Sequence, residues 1–351
     1  MTVPPGSTIG ILGGGQLGRM MAMAAAQLGY RAHIYAPGMS GPATEVAARW
    51  THAGYEDADA VAAFATQVDV ITYEFENVDV AALRHLRGVR PSCRALEVAQ
   101  DRLAEKNFAQ SLGGRPAPFR QVDSLEDLHE AIRIIGLPAV LKTRRFGYDG
   151  KGQVRIFHRD AIEQAWAAIG GRPAVLEAMI EFEAEFSIII ARGENGETVR
   201  WDAVTNHHRD GILETSIVPP RGIVARQAVE AARLAEAIAQ ELGYVGVLTC
   251  EFFAAVDGPI FNEMAPRVHN SGHWTIEGAV TSQFENHIRA ICGLPLGSTA
   301  LAGNEAEMRN LLGNAVDAWE TILSDPAAHL HLYGKTGPKP DRKMGHITWV
   351  R

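Results

Sequence analysis

Glu251 and Glu263 stand in two runs that are otherwise apolar, flanked by Cys250, Phe252 and Phe253 and by Phe261 and Met264. A carboxylate buried in such surroundings is costly unless it is paired or holds a metal. The runs read as the arms of a hairpin over 246–264, with Asp257-Gly258 at its turn. Two carboxylates facing one another across the hairpin repel unless a cation sits between them, and Mg2+ suits carboxylates together with substrate phosphates. The alternative is a pair of solvated edge carboxylates. A two-residue turn at Asp257-Gly258 would put the pair on opposite faces. A three-residue loop Val256–Gly258, or a bulge with the same effect, pairs Glu251 with Glu263 on one face. The shared-metal reading therefore predicts that second register.

A second chemistry lies in the loop Gly147-Tyr148-Asp149-Gly150-Lys151-Gly152-Gln153. Its glycines let backbone N–H groups wrap an anion, and Lys142 and Lys151 add charge. Gly152 stands where a P-loop needs Ser or Thr, and a strand follows instead of a helix. The loop reads as a lid over phosphates, against the plainer reading of a hairpin tip without a ligand. Gly13, Gly15 and Gly18 form G-x-G-x-x-G between a strand and a helix, a turn open to a phosphate. The acidic residue that a dinucleotide ribose needs about 20 positions on is missing, since Ala36-Pro37-Gly38 stands there. That disfavours a nicotinamide oxidoreductase. Arg267, in RVHNSGH at 267–273, offers a planar fork for a carboxylate or carbonate-like anion. His207 and His208 are adjacent, so in a strand their side chains diverge. The Met20–Ala26 stripe reads as helix packing.

The elements that must position these residues follow from the apolar pattern. Ile9–Leu12, Arg31–Tyr35 and Val68–Tyr73 read as strands of a parallel sheet, with a helix to Leu28 between the first two. Glu97–Leu112 reads as one helix, leading to a boundary at GGRPAPF, 113–119. Strands at Ala139–Thr143, Gln153–Phe157 and Ala174–Met179 follow, with a helix around 160–169. Beyond Glu185 the pattern turns antiparallel: strands near 185–191 and 199–206, helix 224–242, the hairpin, and a helix over 275–291. Short strands near 310–316, 329–333 and 344–350 close the chain as a small all-β tail.

Composition narrows the class. The chain has 351 residues, 33 Lys plus Arg against 41 Asp plus Glu, and net charge −8, a poor balance for nonspecific nucleic-acid or anionic-membrane binding. Cys93, Cys250 and Cys292 are far apart, which argues against a disulfide framework and suits a cytoplasmic location. The N-terminus lacks the pattern of a signal peptide, and no run approaches a membrane span.

Taken in order, eight segments carry a resemblance: GGGQLGRM (13–20), TYEFENV (72–78), QDRLAEK (100–106), KTRRFGYDGKGQ (142–153), HHRDGI (207–212), ELGYVGV (241–247), NEMAPRVHNSGHWT (262–275) and RKMGH (342–346). Over nearly its whole length the chain resembles the ATP-grasp carboxylate-amine ligases. Within them it is similar to the 5-(carboxyamino)imidazole ribonucleotide synthase family of purine biosynthesis. The resemblance implies an ATP-grasp fold with an N-terminal Rossmann-like α/β domain (1–100), a small lid subdomain (101–184), and a large subdomain carrying the β tail (185–351).

It also implies ATP at Arg102, Lys142, the 147–153 loop, the strand segment Glu177-Ala178-Met179-Ile180, Glu185 and His208. Glu185 would take the ribose hydroxyls. Mg2+ would sit at Glu251 and Glu263, with Asn262 close by. Bicarbonate and carboxyphosphate would meet Arg267, His269 and Asn270. Aminoimidazole ribonucleotide would meet Gly15, Gln16, Leu17, Glu74, Asn77, Asp149, Lys335 and Arg342, its phosphate at the 13–18 turn, Lys335 and Arg342. Asp149 would orient the attacking amine or take its proton, and Lys142 would offset charge on the transferred phosphoryl group. A homodimer is implied as well. The sister reading is a formate-dependent phosphoribosylglycinamide formyltransferase, and a non-catalytic nucleotide-binding protein is disfavoured by the two metal carboxylates.

Overall fold

A computed structural model describes residues 2–147 and 151–351. Tyr148, Asp149 and Gly150 of the expected lid lie outside them. Among the described residues the strands form three sheets.

The first is parallel, ordered Arg49–His52, Arg31–Ala36, Thr8–Leu12, Val70–Tyr73. Ile9, Ile11, Leu12, Ile34 and Tyr35 are fully buried in it, as continuous apolar strands of a covered parallel sheet should be. The chain leaves Thr8–Leu12 through Gly13, whose φ of +131° and crowding against Glu74 exclude a side chain: a Cβ there would lie 2.2 Å from Glu74 Cγ. The helix Gln16–Gln27 follows.

The second sheet is antiparallel, ordered Phe119–Val122, Ala174–Ala178, Ala139–Thr143, Gln153–Ile156. Its inner face carries Leu141, Ile156 and Leu176, packed on Leu128 and Ile132 of the helix Leu125–Ile135 and on Ile162 of the helix Ile162–Ala168. Strand alternation then turns Val140, Lys142 and Glu177 to the opposite face.

The third sheet has nine strands. Its path runs Gly258–Ala265, Gly246–Ala255, Ala184–Arg192, Val204–Arg209, Ile212–Val218, Ala306–Leu312, Lys343–Val350, Ala328–Leu332, with Thr198–Arg200 paired beside Ala184–Arg192. Ile188 and Ile190 pack under the long helix Gly222–Glu241, while Ile189 and Ala191 face the helix Gln283–Ile291. Among the described residues no helix is long and apolar enough to cross a membrane.

Several expectations are corrected. Glu97–Leu112 is two helices, Cys93–Ala99 and Arg102–Ser111, because Asp101 caps the second by accepting from Leu103 and Ala104 N–H. The 275–291 helix is likewise Thr275–Gly278 and Gln283–Ile291, with Ser282 capping the second through the N–H of Glu285. The strand expected near 199–206 is Thr198–Arg200 and Val204–Arg209. The strand expected near 310–316 lies at Ala306–Leu312, and residues Gly313–Ala318 coil into a 3-10 helix. The expected C-terminal strands are present, and Ala306–Leu312 pairs with Ile212–Val218, so they extend the large sheet. The hairpin turn is Val256-Asp257, since Ala255 pairs with Gly258.

Candidate active site

A cavity of about 310 Å³ opens between the second and third sheets. Lys142 enters it from the second sheet, its Nζ 2.9 Å from Glu177 Oε2 on the neighbouring strand. The wholly buried Lys106 reaches the same oxygen at 3.1 Å. Burial alone would raise the Glu177 carboxyl, but the Lys142 and Lys106 ammoniums overcome it and hold the group at about 2. Burial lowers the Lys142 ammonium, with Glu177 opposing. A charged triad fits the 2.9 and 3.1 Å geometry, and it leaves the site with net positive charge at this wall.

Helix Arg102–Ser111 projects Arg102, Glu105 and Lys106 from one face, the i, i+3, i+4 pattern. Arg102 Nη1 lies 2.9 Å from Glu263 Oε2, and Glu263 is held below the usual carboxylate range, Arg102 outweighing burial. Glu105, 2% exposed, accepts the Met264 N–H at 2.6 Å. Burial, then the neighbouring Glu263, pushes its carboxyl up to about 8.

The hairpin reaches the expected Glu251–Glu263 register through the bulge alternative, not through a three-residue loop. From the turn to Phe252 it pairs with a two-residue register, Phe252 against Phe261. There it slips, and Glu251 pairs with Glu263. Phe261 and Met264 both point to the core, so the two residues between them, Asn262 and Glu263, both face the cavity. That is the signature of a β-bulge. Burial and the facing Glu263 raise Glu251 to about 7. His269 Nε2 stands 3.4 Å from Glu251, and burial lowers this imidazole well below its ordinary value.

On the far wall Glu185 lies 2.9 Å from His208 Nδ1. Burial lowers the imidazole, but hydrogen bonding and attraction to Glu185 raise it on balance. A second bulge at His207/His208 turns His208 inward and leaves His207 exposed, so the two diverge. Ala178, Met179, Ile180, Leu213 and Phe253 give this end an apolar lining. Phe182 and Phe253 rings meet at 4.6 Å. The wall could accept a flat heterocycle beside the polar Glu185 and cationic Lys142.

Below the carboxylates, Asn270 lines the cavity at 8% exposure, and neither polar atom of its side chain finds a hydrogen-bond partner among the described residues. His269 Nδ1 is fixed by Ser271 Oγ at 2.9 Å. Arg267 turns the other way, to Glu76 at 3.0 Å.

The structure thus brings Arg102, Lys142, Gln153, Glu177-Ala178-Met179-Ile180, Glu185, His208, Glu251, Asn262, Glu263, His269 and Asn270 into one cavity. The expected nucleotide-substrate residues are not among its described lining. Instead Glu74 accepts hydrogen bonds from Gly15 N–H and, at 3.3 Å, from Gly18 N–H. The turn expected to meet a phosphate therefore already holds an internal carboxylate. Burial raises the Glu74 carboxyl, and the two N–H bonds, Arg267 and Lys335 oppose it. Gln16 and Leu17 lie on the same turn and Asn77 four residues after Tyr73. Lys335 donates to the Lys343 carbonyl at 2.7 Å, and Arg342 donates to the carbonyls of Thr336 and, at 3.2 Å, Gly337. At the two described ends of the glycine loop, Gly147 lies beside Arg102, and Gly152 O accepts from Thr143 N–H at 2.8 Å. Lys106, Glu105, Glu76, Arg155 and Lys343 escaped the sequence reading. Helical spacing from Arg102 would have flagged the first two, and alternation from Gln153 would have flagged Arg155.

The chain is similar to known proteins over its whole length. Residues 6–100 match the ribonucleotide synthetase preATP-grasp domain, 107–284 the ATP-grasp domain, and 306–351 the phosphoribosylaminoimidazole carboxylase C-terminal domain. N5-carboxyaminoimidazole ribonucleotide synthase of Brucella melitensis is 49% identical, over 100% of this chain and 98% of that protein. The Bacillus subtilis enzyme of the same name is 44% identical, over 99% and 92%. A bifunctional purine synthesis protein of Dictyostelium discoideum is 46% identical over 99% of this chain, which spans only 37% of that longer protein. Among solved structures, an ADP complex of N5-carboxyaminoimidazole ribonucleotide synthetase superposes with a TM-score of 0.95 at 41% identity, covering 100% of this chain and 94% of the other. The Aspergillus clavatus synthase in complex with ADP and 5-aminoimidazole ribonucleotide superposes with 0.91 at 30% identity, covering 98% and 94%. The chain belongs to the N5-carboxyaminoimidazole ribonucleotide synthase family of ATP-grasp ligases.

Proposed function

We propose that this chain carboxylates the amine of 5-aminoimidazole ribonucleotide with bicarbonate, driven by ATP, giving 5-(carboxyamino)imidazole ribonucleotide, ADP and phosphate. The observation that carries the reading is the cross-strand pair Glu251–Glu263 facing Lys142 and Arg102 within one cavity. Cations at one wall and paired carboxylates at another suit a phosphoryl group with its counter-ion. The donor set fits Mg2+. Burial and mutual repulsion raise Glu251 to about 7, a cost that a cation between the carboxylates would remove. Glu251 and Glu263 would hold the ion, with Asn262 close by; bound there, it would neutralise charge on ATP phosphates.

The chain's own groups then have these tasks. Glu185 orients the ribose, the 177–180 segment meets adenine through its backbone, and His208 keeps Glu185 in place. Arg102, Lys142 and the 147–153 loop hold the phosphates. Phosphoryl transfer to bicarbonate depends mainly on such positioning and electrostatics. Asn270, with both polar atoms unused by the chain's described residues, suits bicarbonate, beside His269, which burial keeps neutral and able to donate or accept one hydrogen bond. Arg267, held by Glu76, supplies positive charge behind them. Bicarbonate oxygen attacks the γ-phosphorus and ADP leaves. The resulting carboxyphosphate is short-lived in water, so closure of the 147–153 loop protects it. The substrate amine then attacks the carboxyl carbon, phosphate leaves, and Asp149 orients the amine or accepts its proton.

Gln16, Glu74, Asn77, Lys335 and Arg342 would hold the substrate ribonucleotide, with Glu74 shared between the glycine turn and the ligand. The proposed division is 1–100 for substrate, 101–184 as lid and 185–351 for the remaining site, in a cytoplasmic homodimer. ADP release measured with aminoimidazole ribonucleotide, with and without bicarbonate, tests the activity. Turnover with formate and phosphoribosylglycinamide instead would refute it. Sedimentation tests the assembly.

A further inference from the structure

The strand Gly258–Ala265 is the edge of the nine-stranded sheet, and an edge strand carries backbone groups with no ladder partner. Here three of those groups, on and beside the bulge, are met from outside the sheet. The Phe261 N–H donates to the Arg115 carbonyl at 2.8 Å. The Asn262 carbonyl accepts from Lys106 Nζ at 3.3 Å. The Met264 N–H donates to Glu105 Oε1 at 2.6 Å. The last two contacts bracket the bulge, and Glu105 and Lys106 are 2% and 0% exposed. Two ionisable side chains buried this deeply are costly unless something fixes them; Lys106 pairs with Glu177 at 3.1 Å, and beyond that pair the two side chains hold backbone on either side of Glu263.

We infer that Glu105 and Lys106 are positioning residues which pin the 262–263 bulge and thereby set Glu263 on the same face as Glu251. Without the bulge, the two-residue turn would carry its register onward, and Glu263 would stand opposite the core residue Cys250 and face the core. Pinning the edge from the helix keeps the extra residue where both Asn262 and Glu263 reach the cavity. The inference rests on the metal assignment proposed above.

The test uses the full-length chain and two isosteric variants. Glu105→Met removes the acceptor for Met264 N–H, whereas Glu105→Gln keeps a carbonyl oxygen there and removes only the charge. ADP affinity is measured by calorimetry with excess Mg2+ and again with EDTA, alongside the thermal midpoint. Outer partners of metal ligands typically change metal affinity about 10- to 100-fold when lost. The expected result is a loss of that order in the Mg2+-dependent part of ADP binding for Glu105→Met, little change in EDTA, and retention by Glu105→Gln. Equal Mg2+ dependence in Glu105→Met and wild type would overturn the inference. So would an equal loss in Glu105→Gln, which would make charge the cause. If Glu105→Met does not fold, Lys106→Met decides through the ratio of affinities with and without Mg2+: a fall in that ratio upholds the inference and an unchanged ratio overturns it. A wild-type protein whose ADP affinity ignores Mg2+ would instead remove the metal assignment itself.

Discussion

Replacing Glu177 by Gln keeps the shape of the side chain and deletes one charge. In the wild type, Glu177 Oε2 lies 2.9 Å from Lys142 Nζ and 3.1 Å from Lys106 Nζ, and the carboxyl is held at about 2 against an ordinary 4.5. At about 1.36 kcal/mol per pH unit, that displacement corresponds to about 3 kcal/mol of native-state stability. Removing one member of a buried ion pair costs about 3–5 kcal/mol in general. At about 2.1 cal/mol/K of unfolding entropy per residue, a chain of this length should lose about 4 °C in thermal midpoint if it melts as one unit. The sign with pH is fixed by the depressed carboxyl. Its contribution is complete above the ordinary carboxylate value and is lost as pH falls through about 2. The difference between wild type and Glu177→Gln should therefore be constant from pH 5 to 8 and shrink below pH 4. ADP should raise the variant's midpoint more than the wild type's, because phosphate oxygens replace the missing counter-charge. Calorimetric melting across that pH range checks all three expectations. A loss below about 1 kcal/mol at pH 7 would mean that the lysines do not depend on Glu177.

Lys142→Ala should cut ADP release about 100- to 1,000-fold while the fold survives, since Lys106 still pairs with Glu177; wild-type turnover at saturating Mg2+ would contradict the assignment. Glu251 is raised to about 7, so it is protonated at lower pH, and the Mg2+ requirement for ADP release should rise about tenfold per pH unit below 7. Glu251→Gln should flatten that profile, which Mg2+ titrations between pH 5.5 and 8 would show. Asp101→Ala should destabilise the protein by about 1–2 kcal/mol in urea unfolding, because it removes a helix cap and the partner of Arg144 at 2.6 Å.

How much of this was legible beforehand depended on the range of the interaction. Lys142 and the glycine loop were readable because a hairpin is local: Ala139–Thr143 pairs with Gln153–Ile156 on either side of the loop. The Glu251–Glu263 pairing, with a bulge as one way to reach it, was readable from apolar flanks and strand alternation, but the position of the bulge was not, because it is set by what touches the strand edge. Lys106 and Asn262 are 156 residues apart, and no periodicity tells which helix face meets which strand at that distance. The strand Ile212–Val218 escaped because Glu214, Thr215 and Ser216 dilute its apolar pattern; sheet neighbours on both sides make it a strand. The helix Leu125–Ile135 was overlooked although its signal was present: Ser124 Oγ accepts from Asp127 N–H, and Asp127 accepts from Asp123 N–H.

The joining of Ala306–Leu312 to Ile212–Val218 has a consequence for how the protein is made. The strands carrying Glu185, His208 and Glu251 are synthesised long before the C-terminal strands that complete their sheet. At about 5–20 residues per second, the nascent chain waits several seconds with the outer edge of Ile212–Val218 unpaired. An edge of that kind is a template for pairing with another chain. Translation that stalls before residue 306 would thus leave a nearly complete nucleotide cavity beside an open, aggregation-prone edge. The last segment acts as a seal: its arrival covers the open edge of Ile212–Val218 with three further strands, and its loss should show first as insolubility of the freshly made chain.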